Sequence, residues 1–174
     1  HQKEVANKMK DQRGLIVYHG LGSGKTITSI LSAEQLGQSA TVVTPASLQD
    51  NFLKEKKKVN AKQKYDVQSY EKFTKQPSTY PTLIVDEAHR LRNIDTRRAQ
   101  VIKNIAQHAN KVILLTGSPI QNSPTDISNL ANIAAGRQVL PQDPKTFEKM
   151  YIKSIQYRPG MLGTLLGKKP QDLK

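Results

Sequence analysis

Four short apolar runs punctuate the chain: Leu15-Ile16-Val17-Tyr18, Thr41-Val42-Val43-Thr44, Leu83-Ile84-Val85 and Val112-Ile113-Leu114-Leu115. They are β-branched, continuous rather than alternating, and too short for helices, which is how strands covered on both faces of a parallel sheet read. A weaker fifth strand is expected over 65–70. Between these runs the apolar residues recur at helical spacing. Ile27, Ile30 and Leu31 form one stripe, with Gly37 as its stop. Ser47 followed by Asp50 has capping-box spacing and predicts a helix over 51–58. Ile102, Ile105, Ala106 and Ala109 make another face. Ser123-Pro124-Thr125-Asp126 supplies a cap, a first-turn proline and an acidic third position for a helix that Gly136 ends, and Asp143-Pro144 starts one more. Strand and helix alternate, so the expected class is α/β: a parallel β-sheet flanked by helices through right-handed crossovers. The sheet pattern stops near residue 117. A helical C-terminal extension follows, and 157–174 is Gly-, Pro- and Lys-rich with little to bury.

Two of these strands run into chemistry. After the first comes His19-Gly20-Leu21-Gly22-Ser23-Gly24-Lys25-Thr26, then a helix. Glycines at 20, 22 and 24 let backbone amides turn inward without Cβ clashes, and the helix N-terminus adds partial positive charge. Such a nest holds the phosphates of a nucleotide. Lys25 can reach the β- and γ-oxygens, and the Thr26 hydroxyl can ligate Mg²⁺. The strand–loop–helix setting is the one this motif requires, although His19 stands where strict spacing wants Gly or Ala. Leu83-Ile84-Val85-Asp86-Glu87-Ala88-His89 then places two carboxylates at the end of another strand. In a parallel sheet all such ends open on the edge that carries the phosphate loop. Asp86 is expected to hold Mg²⁺ and Glu87 to polarise the attacking water, their side chains pointing to opposite sides. His89 reads either as a hydrogen-bonded loop residue or as a coupler between the γ-phosphate and a neighbouring motif. Together the two boxes indicate a P-loop nucleoside triphosphatase.

Charge narrows the partner. Twenty-seven Lys and Arg against fourteen Asp and Glu leave a net charge of +13 in 174 residues, which points to a polyanion, nucleic acid before an anionic membrane surface. Three Phe, six Tyr and no Trp argue against a surface built mainly on base stacking. No Cys is present, which excludes a disulfide scaffold, a thiolate metal site and a cysteine nucleophile. No apolar run is long enough to span a membrane, and an intracellular setting, nuclear or cytoplasmic, is expected. The chain opens on His1 rather than Met, so part of a longer polypeptide is expected.

The segment Leu115-Thr116-Gly117-Ser118-Pro119-Ile120-Gln121-Asn122 closely resembles motif III of superfamily-2 helicases in the form found in Swi/Snf-type translocases. Asp86-Glu87-Ala88-His89 is similar to the DEAH form of motif II. Thr44-Pro45-Ala46-Ser47-Leu48, with Asn51, Phe52 and Glu55 beyond, resembles motif Ia, Phe52 standing where the family usually carries Trp. Ser69-Tyr70-Glu71 resembles motif Ib, and Gln2 is placed like the family's adenine-reading glutamine. His19 before the phosphate loop is similar to helicase-like NTPases of large DNA viruses. The resemblance runs from residue 2 to about 151 and covers only the first of two RecA-like lobes. It implies that 1–156 form an ATP-binding lobe with ATP and Mg²⁺ as cofactors, and that 157–174 lead toward a second lobe. It implies that Thr116 and Ser118 couple the nucleotide to nucleic acid, DNA favoured over RNA, and that Thr44, Ser47 and Ser69 hold the phosphates of a strand. It also implies that residues 1–174 alone turn over nucleotide poorly, because the family's arginine finger comes from the other lobe. A DEAH-type strand-separating helicase and a non-catalytic P-loop binding module are the alternatives. Two cation groups, Lys54, Lys56, Lys57, Lys58, Lys62 and Lys64, and Arg90, Arg92, Arg97 and Arg98, read either as solvated faces or as added grip.

Overall fold

The computed structural model describes residues 12–18, 24–118 and 125–152. Five strands, β1 (Gly14–Tyr18), β2 (Ala40–Thr44), β3 (Tyr65–Ser69), β4 (Thr82–Val85) and β5 (Lys111–Thr116), form one sheet in the order β1-β5-β4-β2-β3. All pairings are parallel. The helices are α1 (Lys25–Leu36), α2 (Gln49–Lys58), α3 (Tyr70–Lys75), α4 (Arg97–His108), α5 (Thr125–Ala135) and α6 (Pro144–Phe147), with short 3-10 turns at Ala46–Leu48 and Ala88–Leu91. This is the parallel α/β arrangement expected from the alternation of elements, and it fits the RecA-like lobe that the helicase resemblance implies.

Period-two alternation along the strands divides the core into two layers. Leu83, Val85, Val112 and Leu114 face one side, where they meet Phe73 of α3, Ile102 and Ala106 of α4, and Leu130 and Ile133 of α5. Ile84, Ile113, Leu115 and Val42 face the other, against Ile30 and Ala33 of α1 and Phe52 of α2. The continuous apolar runs of β2, β4 and β5 are therefore strands covered on both faces. β1 departs from that expectation: it pairs only with β5 among the described residues, and Tyr18 at its end is 60% exposed.

Helix ends follow their local chemistry. Gly37 (φ 63°) closes α1, its amide returning to the carbonyls of Ala33 and Glu34, and Gly136 (φ 64°) follows α5 in the same left-handed conformation. Asp143 caps α6 by accepting from the Thr146 amide at 2.8 Å. The box at Ser47 and Asp50 does not form. Pro45 instead leads into a 3-10 turn, α2 starts at Gln49, and no side chain caps it, leaving Ser47 exposed. The fifth strand ends one residue early, because Ser69 accepts from the Lys72 amide and so caps α3, whose first residue is Tyr70.

Candidate active site

Because every strand runs the same way, β1 and β4 deliver their C-terminal ends to one edge of the sheet. There a cleft of about 410 Å³ is bordered by Gly24, Lys25 and Thr26 on one side and by Asp86 and Glu87 on the other, with Asn51 and Glu55 of α2 extending its wall. The strand order explains the spacing, since β5 alone separates β1 from β4. Gly24 sits at φ 76°, a backbone that a side chain would strain, and begins α1. That helix has no side-chain N-cap and no acidic residue in its first turn. The positive end of the helix dipole is therefore not offset by a carboxylate of its own first turn, which favours an anion there. Gln2, Gly20, Leu21, Gly22 and Ser23 lie outside the described residues.

The acidic turn is over-determined. Asp86 is buried, and its Oδ2 accepts from the Thr44 hydroxyl at 3.1 Å while its Oδ1 accepts from the Glu87 amide at 2.9 Å. Burial pushes the Asp86 carboxyl above the usual carboxylate range, and the neighbouring Glu87 charge adds to this. The two hydrogen bonds and the Lys25 ammonium pull the other way. A buried carboxylate whose charge is disfavoured in this way is what a bound cation compensates. Thr26 borders the facing wall of the same cleft and could supply a second oxygen, so these donors would fit magnesium with a phosphate chain.

Glu87 adopts φ 51° and ψ 45°, a left-handed backbone that costs a non-glycine residue about 1–3 kcal/mol and persists only where its surroundings impose it. The expectation that Asp86 and Glu87 point to opposite sides held for extended backbone. The left-handed turn removes that alternation, and both residues border the same cleft. His89 Nδ1 lies 3.1 Å from Glu87 Oε2, close enough for an ion pair but not aligned as a hydrogen bond. Burial holds the imidazole below its ordinary value, outweighing the pull of Glu87. His89 beside Glu87 is therefore harder to protonate than a free imidazole.

The motif III residues reach this turn through an arginine. Thr116 is buried at the end of β5 and its Oγ1 accepts from the Ser118 amide at 3.2 Å. The Ser118 carbonyl in turn accepts from Arg92, whose Nε lies 3.7 Å from Asp126 of α5. Sequence reading placed Arg92 among surface cations. With its side chain only 11% exposed, it is instead a bridge from the segment after Glu87 to Ser118 and α5.

Of the residues expected to hold a nucleic-acid strand, Ser47 lies just beyond β2 and Ser69 ends the neighbouring β3, both on the cleft edge and with some exposure. Thr44 does not fit that role. It is fully buried and its hydroxyl goes to Asp86. The residue that sequence reading missed is Tyr70, quoted only as part of a motif, whose buried hydroxyl donates to the Asp86 carbonyl at 2.6 Å. Its chemistry depends on a partner sixteen positions away, which spacing within one motif does not reveal. The two cation groups also separate. Arg90, Arg97 and Arg98 lie beyond the end of β4 on the cleft edge, whereas Lys62 and Lys64 precede β3 on the opposite edge.

Comparison with known proteins bears on the family and the fold. An Acanthamoeba polyphaga mimivirus protein named as an ATP-dependent RNA helicase is 33% identical over 158 residues, covering 87% of this chain and 35% of its own length. A termination factor NPH-I homolog of African swine fever virus is 28% identical, covering 86% of this chain and 26% of its own. The chain thus spans about a third or less of these curated relatives. Among solved structures, the Sulfolobus solfataricus SWI2/SNF2 ATPase core in complex with dsDNA superposes over 95% of this chain and 40% of that one, with a TM-score of 0.67 at 18% identity. The profile of the SNF2-related domain matches residues 40–165, from the start of β2 onward. With most of its length inside that match, the chain belongs to the SNF2-related domain family.

Proposed function

We propose that residues 1–156 form the ATP-binding lobe of a nucleic-acid translocase acting on double-stranded DNA, and that 157–174 lead toward a second lobe. The observation that carries this reading is the cleft bordered jointly by Gly24–Thr26 and Asp86–Glu87. In it Lys25 neutralises phosphate charge, while Thr26 and Asp86 supply oxygens for magnesium, which when bound offsets the charge developing on the phosphates. Glu87 orients the attacking water, and His89 lies beside it as a coupler. Gly20, Leu21, Gly22 and Ser23 complete the phosphate nest, and Gln2 reads adenine. Thr116 and Ser118 carry the state of the cleft to the nucleic-acid side, and Ser47 and Ser69 meet a strand there. Phosphoryl transfer of this kind is positioning and electrostatics, and an arginine finger contributes about 10³–10⁵ in rate. No arginine of this chain stands in a matching motif, so the isolated chain should turn over ATP poorly.

DNA is favoured because the neighbouring SWI2/SNF2 core was solved with dsDNA and because exposed arginines lie on the cleft edge. Strand separation on RNA is the second reading, supported by the name of the mimivirus relative.

The test is Glu87→Gln in the full-length protein, with ATP binding and dsDNA-stimulated hydrolysis measured side by side. Binding should persist while turnover falls by at least about a hundredfold. Turnover at the unsubstituted rate would remove Glu87 from the chemistry, and ATP hydrolysis indifferent to every nucleic acid would remove the translocase.

A further inference from the structure

Tyr70 stands where two parts of the molecule meet. It is the first residue of α3, directly after Ser69, whose hydroxyl caps that helix by accepting from the Lys72 amide at 3.1 Å. Its ring is 1% exposed, packed within the α3–α4–α5 layer, with the Arg90 guanidinium 5.9 Å from the ring centre. Its hydroxyl reaches across to the end of β4, 2.6 Å from the carbonyl oxygen of Asp86 and 3.3 Å from that of Glu87. Successive carbonyls of a strand point to opposite sides. These two converge on a single donor because Glu87 has left the extended conformation for φ 51°. The hydroxyl is therefore bonded to the one stretch of backbone that decides where the Glu87 side chain goes.

We propose that Tyr70 is a positioning residue. Its hydroxyl holds the left-handed Asp86–Glu87 turn, and its place at the head of α3 makes the aim of Glu87 depend on how the end of β3 is seated by a nucleic-acid strand. The proposal rests on the reading of Glu87 given above. It deepens that reading by assigning a direct covalent and hydrogen-bonded path, Ser69 to Tyr70 to Glu87, by which strand binding reaches the cleft without passing through motif III.

The experiment compares Tyr70→Phe, Glu87→Gln and the double variant in the full-length protein. Tyr70→Phe keeps the ring and removes only the donor. It should lower kcat of dsDNA-stimulated ATP hydrolysis about tenfold or more, the scale on which a supporting hydrogen bond behind a site residue acts, with KM for ATP and dsDNA affinity within about twofold of the parent. In the Glu87→Gln background the same change should leave the residual single-turnover rate unaltered, because a residue acting through Glu87 has nothing left to position. An unchanged kcat for Tyr70→Phe overturns the proposal, as does a further tenfold loss on top of Glu87→Gln. Unaltered turnover in Glu87→Gln itself overturns the underlying assignment of Glu87 instead. If Tyr70→Phe does not fold, hydrogen exchange on the unsubstituted protein decides. Binding dsDNA should slow exchange at the amides of residues 86–88 together with those of α3, and protection confined to α3 overturns the path.

Discussion

Thr44 ends β2 with a hydroxyl that has no access to solvent and one partner across the sheet, the carboxylate of Asp86. Thr44→Val keeps the branched shape and removes the donor, leaving the Asp86 carboxylate with the Glu87 amide as its remaining hydrogen-bond donor among the described residues. A lost hydrogen bond to a charged group is worth about 1.5–3 kcal/mol, so magnesium-dependent ATP affinity should fall about tenfold or more while dsDNA affinity stays unchanged. A magnesium titration of fluorescent-nucleotide binding, run beside a dsDNA binding curve, checks this. Weakened DNA binding with an unaltered magnesium titration would restore Thr44 as a phosphate contact. The contrast marks what single residues disclose in a sequence. Lys25, Thr26, Asp86 and Glu87 are legible because each motif is local and its chemistry needs those side chains in that order. Thr44 and Tyr70 are not, since each acts on a residue supplied by another strand. The left-handed Glu87 is also hidden, because nothing in a glutamate announces a backbone conformation that its neighbours impose.

Arg13, just ahead of β1, ties together two helices that never touch it in sequence. Its guanidinium donates to Ala135 at the end of α5 at 2.7 Å, and to Ala106, Gln107 and Ala109 around the end of α4 at 2.6, 2.8 and 2.9 Å. These are terminal helix carbonyls that lack intrahelical partners, and a cation beside them also complements both helix dipoles. Arg13→Met preserves much of the stem and deletes the fork. It should destabilise the chain by about 2–3 kcal/mol, the scale of charge-assisted hydrogen bonds, and Arg13→Lys should recover only part, since one ammonium cannot match a planar fork. Urea denaturation followed by circular dichroism measures both, and equal stability of all three proteins would remove Arg13 from the structural frame. The elements themselves are readable from the chain because their signals are local: β-branched runs for β2, β4 and β5, glycine stops for α1 and α5, and Asp143 before Pro144 for α6. Where the reading fails, a competing local choice or a tertiary position has intervened. Pro45 commits the backbone to a 3-10 turn before Ser47 can cap α2. The half-exposed pattern of β1 follows from its place at the side of the sheet, and apolar content does not encode strand order.

Net charge is a property of the whole molecule, but its effect depends on where the fold puts each cation. The sheet has two edges. Lys62 and Lys64 lie on the one where β3 begins, remote from the cleft, while Lys58 is held by Glu55 at 2.5 Å and Lys56 lies over the Tyr65 ring. Arg97 and Arg98 open α4 on the cleft edge and border a groove of about 370 Å³ shared with Tyr70, Glu71 and Lys75. In the reading proposed above, a phosphate backbone seated against Ser47 and Ser69 would meet Arg97 and Arg98 and not Lys62 and Lys64. Each phosphate neutralised on double-stranded DNA contributes about 0.9 to the slope of log affinity against log salt. Replacing Arg97 and Arg98 together by Ala should flatten that slope by up to about 2 and weaken binding at low salt most, alike for all sequences, because backbone contacts position a strand without reading it. Replacing Lys62 and Lys64 together removes the same net charge from the same +13 chain and should leave the slope where it was. Fluorescence anisotropy of labelled duplex across a salt series distinguishes the two pairs. Equal losses from both would mean that the charge acts only as a diffuse field, and that the fold has not sorted it between the two edges.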